Sequence, residues 1–324
     1  MVDVLRLAAF TFDPAGGNPA GVVLDASDLD DATMQRIARH VGDAETAFLV
    51  APGAPRAPRV SGESSPIAIR YFSPTAEVPF CGHATIATAV VLAEQALAAG
   101  RTPSTFAFAT PVGPVTITTS IDQDGRVVAA FTSVEPTTAP IDPAVLDRLT
   151  ALLRVPVDVR RASSPTDGAG DRRTGGAAAG VRSVTARDLA PGFPPMLASA
   201  GNTHPVLVLA DRRTFDAFGF DPDAMRALMD EQGWAGTVTI LHPVGPGRFE
   251  ARNLFPVGTM DEDPATGSAA ASVGGYLRAL GLVEPPAHVV IEQGRHVGRP
   301  GVLHVDVPVS GGIVVSGTAV VIPG

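Results

Sequence analysis

Two stretches decide how this chain folds: Tyr71-Phe-Ser-Pro74 leading to Pro79-Phe-Cys-Gly82-His-Ala-Thr85, and Asn253-Leu-Phe-Pro256 leading to Pro264-Ala-Thr-Gly267-Ser-Ala-Ala270. Each has the form of a strand, a Phe-Pro or Phe-x-Pro step, an acidic turn, Pro-x-x-Gly and then a helix of small residues. Their likeness makes them two copies of one unit. The helices they open, seen in Ala84 to Val91 and Ala269 to Gly275, are rich in Ala, Ser, Thr and Gly and apolar on most faces. A helix without a polar stripe is a buried one, here expected to be wrapped by strands.

Around these copies the chain reads as short β-branched runs broken by Gly, Pro and Asp, with few helical stretches, which predicts an α+β fold. Strands are expected at Val4 to Phe12, Gly21 to Leu24, Thr46 to Val50, Ile67 to Phe72, Phe106 to Ala109, Val115 to Thr119 and Val127 to Phe131, mostly antiparallel. In the second half they are expected at Val157 to Arg160, Pro205 to Leu209, Thr237 to His242, Phe249 to Phe255, Val289 to Glu292, Val302 to Val307, Ile313 to Val315 and Thr318 to Ile322. Asp30 or Asp31 caps a helix to about His40, and a second helix runs from His83 to about Ala99. Asp142-Pro143 and Asp221-Pro222 each pair a capping aspartate with a proline at the first helical position, marking two surface helices.

A length of 324 residues predicts two domains sharing a cleft. Pro and Thr accumulate between Ser133 and Pro143, so that segment is expected to be a linker dividing domains at 1–134 and 135–324. The final strand could return to the first domain. The aperiodic Gly-, Ala-, Ser- and Arg-rich stretch from Ser163 to Gly180 is expected to be a mobile loop.

Composition removes whole classes of function. The net charge is −9 and the basic residues form no dense stripe, which argues against a nucleic-acid surface. The longest apolar run, near Ala84 to Leu92, is far short of the roughly 20 residues of a membrane span, and no charged leader precedes an apolar segment, so a cytoplasmic protein is expected. All 24 basic residues are arginine. Without lysine there is neither a Schiff base to pyridoxal nor a Walker-type phosphate loop. The single cysteine, Cys81, excludes an internal disulfide and a multi-thiolate zinc site.

The two Pro-x-x-Gly turns place free amides at the starts of buried helices, where they and the helix dipole favour an anion such as a carboxylate. Gly82 and Gly267 could equally serve only to permit a tight turn. Glu45, between a helix and an apolar strand, could be a half-buried acid/base or a bland strand-edge residue. His83 and Ser268 follow the two glycines, and Asp263 precedes the second. These could be caps and a turn residue. Met260-Asp-Glu-Asp263 would suit a divalent cation, but no further spaced oxygen ligands complete a site, so no metal is expected. Cys81, beside helix-start amides, could be a base, a nucleophile or a small filler.

The chain resembles the PhzF-like family in Gly17-Asn-Pro-Ala-Gly-Val22, Glu45-Thr-Ala-Phe48, Arg70-Tyr-Phe-Ser-Pro74, Glu77-Val-Pro-Phe-Cys-Gly-His-Ala-Thr85, Asp261-Glu-Asp-Pro-Ala-Thr-Gly-Ser-Ala-Ala270 and Gln293-Gly-Arg-His-Val-Gly-Arg-Pro300. The resemblance implies a diaminopimelate-epimerase-like fold: two pseudo-symmetric domains, each a curved, mainly antiparallel sheet or barrel around a central helix. It implies an isomerase that shifts a hydrogen in a small anionic carboxylate, as in the isomerisation of trans-2,3-dihydro-3-hydroxyanthranilate, without metal or organic cofactor, and a homodimer. Glu45 inherits the acid/base role, with His83, Asp263 and Ser268 holding or relaying the proton. Asn18, Cys81, Gly82, His204, Thr266 and Gly267 are the expected substrate-binding residues. The cysteine at 81 departs from the family's phenazine member and leaves open an epimerase or racemase pairing Cys81 with Asp263 or Glu45. A binding protein without catalysis on the same scaffold is the third alternative.

Overall fold

A computed structural model of the protein describes residues 2–50, 66–102, 105–157, 180–257 and 260–323. The first half runs β1 (Leu5–Ala9), β2 (Asn18–Val23), α1 (Asp31–Val41), β3 (Glu45–Val50), β4 (Ile67–Phe72), β5 (Glu77–Val78), α2 (Gly82–Ala98), β6 (Thr105–Thr110), β7 (Gly113–Ile121) and β8 (Val127–Thr132). The second runs β9 (Thr137–Pro140), α3 (Pro143–Leu152), β10 (Arg154–Val157), β11 (Gly180–Ser183), β12 (Met196–Ser199), β13 (Thr203–Val208), α4 (Arg212–Ala217), α5 (Pro222–Gln232), β14 (Val238–Gly245), β15 (Arg248–Val257), β16 (Met260–Asp263), α6 (Gly267–Ala279), β17 (Ala287–Gln293), β18 (Gly301–Val307), β19 (Val314–Gly317) and β20 (Ala319–Val321). The fold is α+β and diaminopimelate-epimerase-like.

Strand pairing repeats. In the first half the order is β20-β1-β2-β3-β4-β6-β7-β8, with β5 added to β4; in the second it is β9-β12-β13-β14-β15-β17-β18-β19, with β16 added to β15. Even the exceptions to antiparallel pairing coincide: β2 with β3 and β4 with β6 are parallel, as are β13 with β14 and β15 with β17. The two sheets join where β8 pairs with β19. The chain crosses between them twice, once into β9 and once back into β20, which pairs with β1.

Each sheet curls around one helix. α2 packs on β1, β2, β3, β7, β8 and β20, and α6 on β9, β12, β13, β18 and β19. Small side chains let the strands approach this closely: a Cβ on Gly275 would sit 2.4 Å from Pro136, and one on Gly274 2.7 Å from Ile313. Asp30 caps α1 through the Thr33 amide, and Asp142 and Asp221 cap α3 and α5 ahead of their prolines. These amphipathic helices cover outer faces, and α4, α5 and α3 enclose a second apolar core with Leu207, Phe215, Met225 and Ile240. No helix among the described residues is long and apolar enough to cross a membrane.

A buried arginine fixes the same corner in both halves. Arg70 on β4 donates to Glu77 of β5 at 2.8 and 2.9 Å and to Asp31 of α1 at 2.8 Å. Arg252 on β15 donates to Glu262 of β16 and to the carbonyls of Phe215 and Phe218 at the end of α4. Strand, short return strand and surface helix are thus pinned alike.

Several local expectations are corrected. The Ser133 to Pro143 segment is not a bare linker, because β9 pairs along its whole length with β12. The strand expected at Val157 to Arg160 meets the described β10 (Arg154–Val157), which pairs with β11, only at Val157. Residues 158–160 and nearly all of the loop expected from Ser163 to Gly180 lie outside the described residues.

Candidate active site

The site forms where the start of α6 meets the first half. A Cβ on Gly267 would lie 3.1 Å from Phe131, and Asn18, at the start of β2, donates to Asp263 at 2.7 Å and to the Ala265 carbonyl at 3.0 Å. Phe10, held at φ 63°, lies nearby, donating to the Thr318 carbonyl at 2.7 Å and accepting from Val302 at 2.8 Å. Its ring fits because residue 317 is glycine: a Cβ added there would lie 2.4 Å from it.

Glu45 opens β3, beside Ala20 of the parallel β2, and points at the start of α2. Cys81 Sγ donates to Glu45 Oε2 at 3.4 Å, and His83 Nε2 lies 3.4 Å from the same oxygen. Cys81 and His83 also touch, Sγ to Nδ1 at 3.4 Å. Cys81 and His83 are buried, while the Glu45 side chain is 22% exposed, so Glu45 is the member of this trio that reaches the surface.

Burial sets the protonation states. It lifts Glu45 to about 7, and the Asp263 charge adds to the rise. It lifts Asp263 to about 6, against the hydrogen bonds from Thr266 and Asn18. The Cys81 thiol is pushed well above its ordinary value, by burial first and then by Glu45. His83 falls to about 4, although its hydrogen bond to the Pro19 backbone works the other way. Near neutrality the trio is therefore a carboxyl poised to gain or lose a proton, a thiol and a neutral imidazole.

The second half supplies a separate set. Thr266 Oγ1 donates to Asp263, and Gln293 Nε2 donates to the Asp263 carbonyl at 2.6 Å while its Oε1 accepts from the Thr266 amide at 3.1 Å. Gln293 thereby holds the turn that aims Asp263. His204, pulled to about 4 by burial, accepts the Thr237 amide at Nδ1 (3.0 Å). An amide can only donate, so the proton of this imidazole is assigned to Nε2, which donates to Ser268 Oγ at 3.2 Å. The Ser268 hydroxyl proton is then directed elsewhere, available to a ligand.

Neither helix start carries a side-chain cap: Cys81 precedes α2 and Thr266 precedes α6 without one. At Gly82 nothing crowds the backbone, since a Cβ there would meet only Phe80 at 3.9 Å. At Gly267 a Cβ would press on the Phe131 ring at 3.1 Å, so tight packing bears on one of the pair and not on the other.

The structure thus brings Glu45, Cys81 and His83 together and sets Asp263 near them. It ties Ser268 to His204, and turns Asn18 and Thr266 into clamps on Asp263. Gln293 entered the sequence reading only as the first residue of a motif and was given no role there. Its signal was a polar side chain on the inward side of an alternating strand, after Val289 and Ile291. A cavity of about 530 Å³ beside Phe10, Phe12, Arg126 and His304 reaches Gln293 but is lined by neither Glu45, Cys81, His83 nor Asp263.

The two-halved sheet-and-helix scaffold is the diaminopimelate-epimerase-like fold, and the chain's relatives make it an isomerase. The profile of the phenazine biosynthesis-like proteins, PhzC-PhzF, matches residues 7–152 and 169–323, and the chain belongs to that family. It is 29% identical over 326 residues to "Uncharacterized isomerase YddE" of Escherichia coli K12, covering 98% of this chain and 96% of that one. It is 30% identical over 298 residues to the trans-2,3-dihydro-3-hydroxyanthranilate isomerase of Pseudomonas chlororaphis, covering 91% and 86%. The fold matches the crystal structure of the Bacillus anthracis phenazine biosynthesis protein of the PhzF family with a TM-score of 0.74 at 22% identity, over 99% of this chain and 97% of that one.

Proposed function

We propose that the chain shifts a proton within a small unsaturated carboxylate, a substrate similar to trans-2,3-dihydro-3-hydroxyanthranilate, with Glu45 as the acid/base and no cofactor. The observation that carries this reading is Glu45 itself, its carboxyl held near 7 by burial in a side chain that still keeps some exposure. A carboxyl with its pKa at working pH can take a proton from carbon and return it to another carbon at little cost in either direction. The uncapped helix starts before Gly82 and Gly267 receive the substrate carboxylate. Ser268, its oxygen already bonded by His204, donates to a polar group of the substrate. Asp263 holds or relays the proton opposite Glu45, and closure of the two halves, 1–134 and 135–324, excludes water. A homodimer in the cytoplasm completes the reading, with no nucleic-acid or membrane partner.

The 3.4 Å contact of Cys81 with Glu45 favours one alternative: an epimerase in which the thiol and a carboxyl face opposite sides of a stereocentre. The family is one of isomerases, so the binding-only alternative is set aside.

The test is Glu45→Gln, assayed on trans-2,3-dihydro-3-hydroxyanthranilate and then on other small unsaturated carboxylates in deuterated water. Turnover should fall by about 10²–10⁴, the usual contribution of a positioned acid/base, with melting temperature and ligand binding retained. Near-normal turnover would sink the assignment. Cys81→Ala separates the alternatives, because only the epimerase loses its activity with the thiol.

A further inference from the structure

The trio at the start of α2 has a property that proton transfer does not require. Glu45 Oε2, Cys81 Sγ and His83 Nε2 are 3.4, 3.4 and 3.8 Å apart, and these three donor types lie within one ligand sphere. From bonds of about 2.3 Å to sulfur and about 2.0–2.1 Å to nitrogen or oxygen, the edges of a tetrahedron around zinc come to about 3.4–3.6 Å. The trio already has nearly that spacing.

The geometry points to a three-ligand site for a borderline, thiophilic divalent cation of the zinc class, formed by Glu45, Cys81 and His83, whose occupation stops the acid/base. Thiolate and imidazole together select such ions over magnesium or calcium, which take oxygen shells. Cys81 and His83 are fixed by the first residues of a buried helix, and Glu45 by the end of an interior strand. The fourth position opens on the exposed side of Glu45, where water or an added ligand completes the tetrahedron. On binding, the Cys81 thiol releases its proton to solvent, and thiolate plus carboxylate balance the dication. The ion takes the Glu45 lone pair that would otherwise accept a proton. It acts as an inhibitor, not as a cofactor. The binding half of the proposal stands on geometry alone; the inhibitory half rests on Glu45 as acid/base.

The probe is cobalt(II), added to the full chain after treatment with chelator. Cys81 is the only thiol in the chain, so a sulfur-to-cobalt charge-transfer band can come from no other site. One equivalent of cobalt should produce that band with tetrahedral ligand-field absorption, and zinc should erase both by displacement. Cys81→Ser should abolish the band. Glu45→Gln and His83→Ala should each weaken binding by at least about tenfold, the loss met even when only a group supporting a ligand is removed. His288→Ala, at an exposed imidazole pair with His304, should leave binding unchanged. Melting temperatures show that each variant is folded. Absence of the band in folded wild-type protein overturns the proposal, as does a band of undiminished affinity in both Glu45→Gln and His83→Ala, which would mean a lone thiol binding metal by itself. If the band forms as expected while turnover survives saturating zinc, the inhibitory half is overturned and the site stands. The binding result does not depend on whether the isomerase substrate has been found.

Discussion

The two halves of the molecule share their construction and differ in their chemistry. Counting along the paired strands sets Arg70 and Glu77 against Arg252 and Glu262, and Gly82 against Gly267. The same count sets Glu45 against Thr237, Val78 against Asp263, Cys81 against Thr266, His83 against Ser268, and Ala20 against His204. Groups that hold the corner are kept, and groups that face the cleft are exchanged. The two acids therefore come from non-equivalent positions, Glu45 from the start of an interior strand and Asp263 from a short return strand. Duplication supplied a symmetric frame, and the cleft in it is lopsided: thiol, imidazole and one carboxyl on one side, carboxyl, hydroxyl and hydroxyl-bonded imidazole on the other. With one thiol in the chain, no pair of matched cysteines spans it.

If the arginine corners are the common frame, breaking either should cost about the same. Arg70 and Arg252 are 2% and 7% exposed, and each is tied to a glutamate and to a surface helix. Arg70→Met or Arg252→Met takes a buried guanidinium away from its glutamate, for an expected loss of about 3–5 kcal/mol. Replacing the partner as well, in Arg70→Met with Glu77→Leu or Arg252→Met with Glu262→Leu, should recover much of it. Urea unfolding of the four variants reads this directly. A large loss at one corner and none at the other would break the equivalence.

Much of that frame was legible in the sequence because it rests on local signals. The Pro-x-x-Gly turns and small-residue helices repeat openly, and Asp142-Pro143 and Asp221-Pro222 mark helix starts at α3 and α5. What escaped was short or carried by backbone alone. β5 has two residues and β16 four, too few to show alternation. β9 reads Thr-Thr-Ala-Pro and looks like linker, because what makes it a strand is its pairing with β12. The helix α4, of six residues after Asp211, is shorter than two helical turns. For the site, the residue types were visible and their grouping was not. Glu45 lies 36 residues from Cys81, and only the parallel pairing of β2 with β3 and the burial of α2 bring the two together. Read by itself, Glu45 was as well a strand-edge residue.

The exchange of Thr237 for Glu45 puts a titrating carboxyl at one of two equivalent positions and not at the other. A glutamate in the unfolded chain ionises near 4.5, while Glu45 in the folded protein holds its proton to about 7. Its folded pKa is raised, so the folded state binds more protons across that window and stability falls as pH rises through it. Below about pH 4 the carboxyl costs nothing; above about pH 8 the penalty is on the order of 3 kcal/mol, at roughly 1.4 kcal/mol for each pKa unit. Glu45→Gln removes the titration. Its melting temperature should match wild type near pH 4 and exceed it near pH 8, whereas Thr237→Val should differ from wild type by a constant amount. A Glu45→Gln effect that is equal at both pH values would mean that this carboxyl is no more constrained than its counterpart.

The smallest effect tests whether the two sides act on each other. The Asp263 charge raises the Glu45 pKa, so Asp263→Asn should lower it and make Glu45 a base at lower pH. In wild type, kcat/KM should climb with pH through about 7 as Glu45 ionises. In Asp263→Asn that climb should move to lower pH by a fraction of a unit, up to about one unit, whatever happens to its height. The direction is the informative part, because a merely structural loss of the Asn18 and Thr266 clamps would lower the plateau and leave the midpoint where it was. Val78→Ala, at the register-equivalent position in the other half, carries no charge to remove and should not move the midpoint at all. A midpoint that stays fixed or moves upward in Asp263→Asn would mean that Glu45 titrates without sensing the opposite carboxyl. The cleft would then be two separate sites on one frame rather than one acid/base site assembled from both halves.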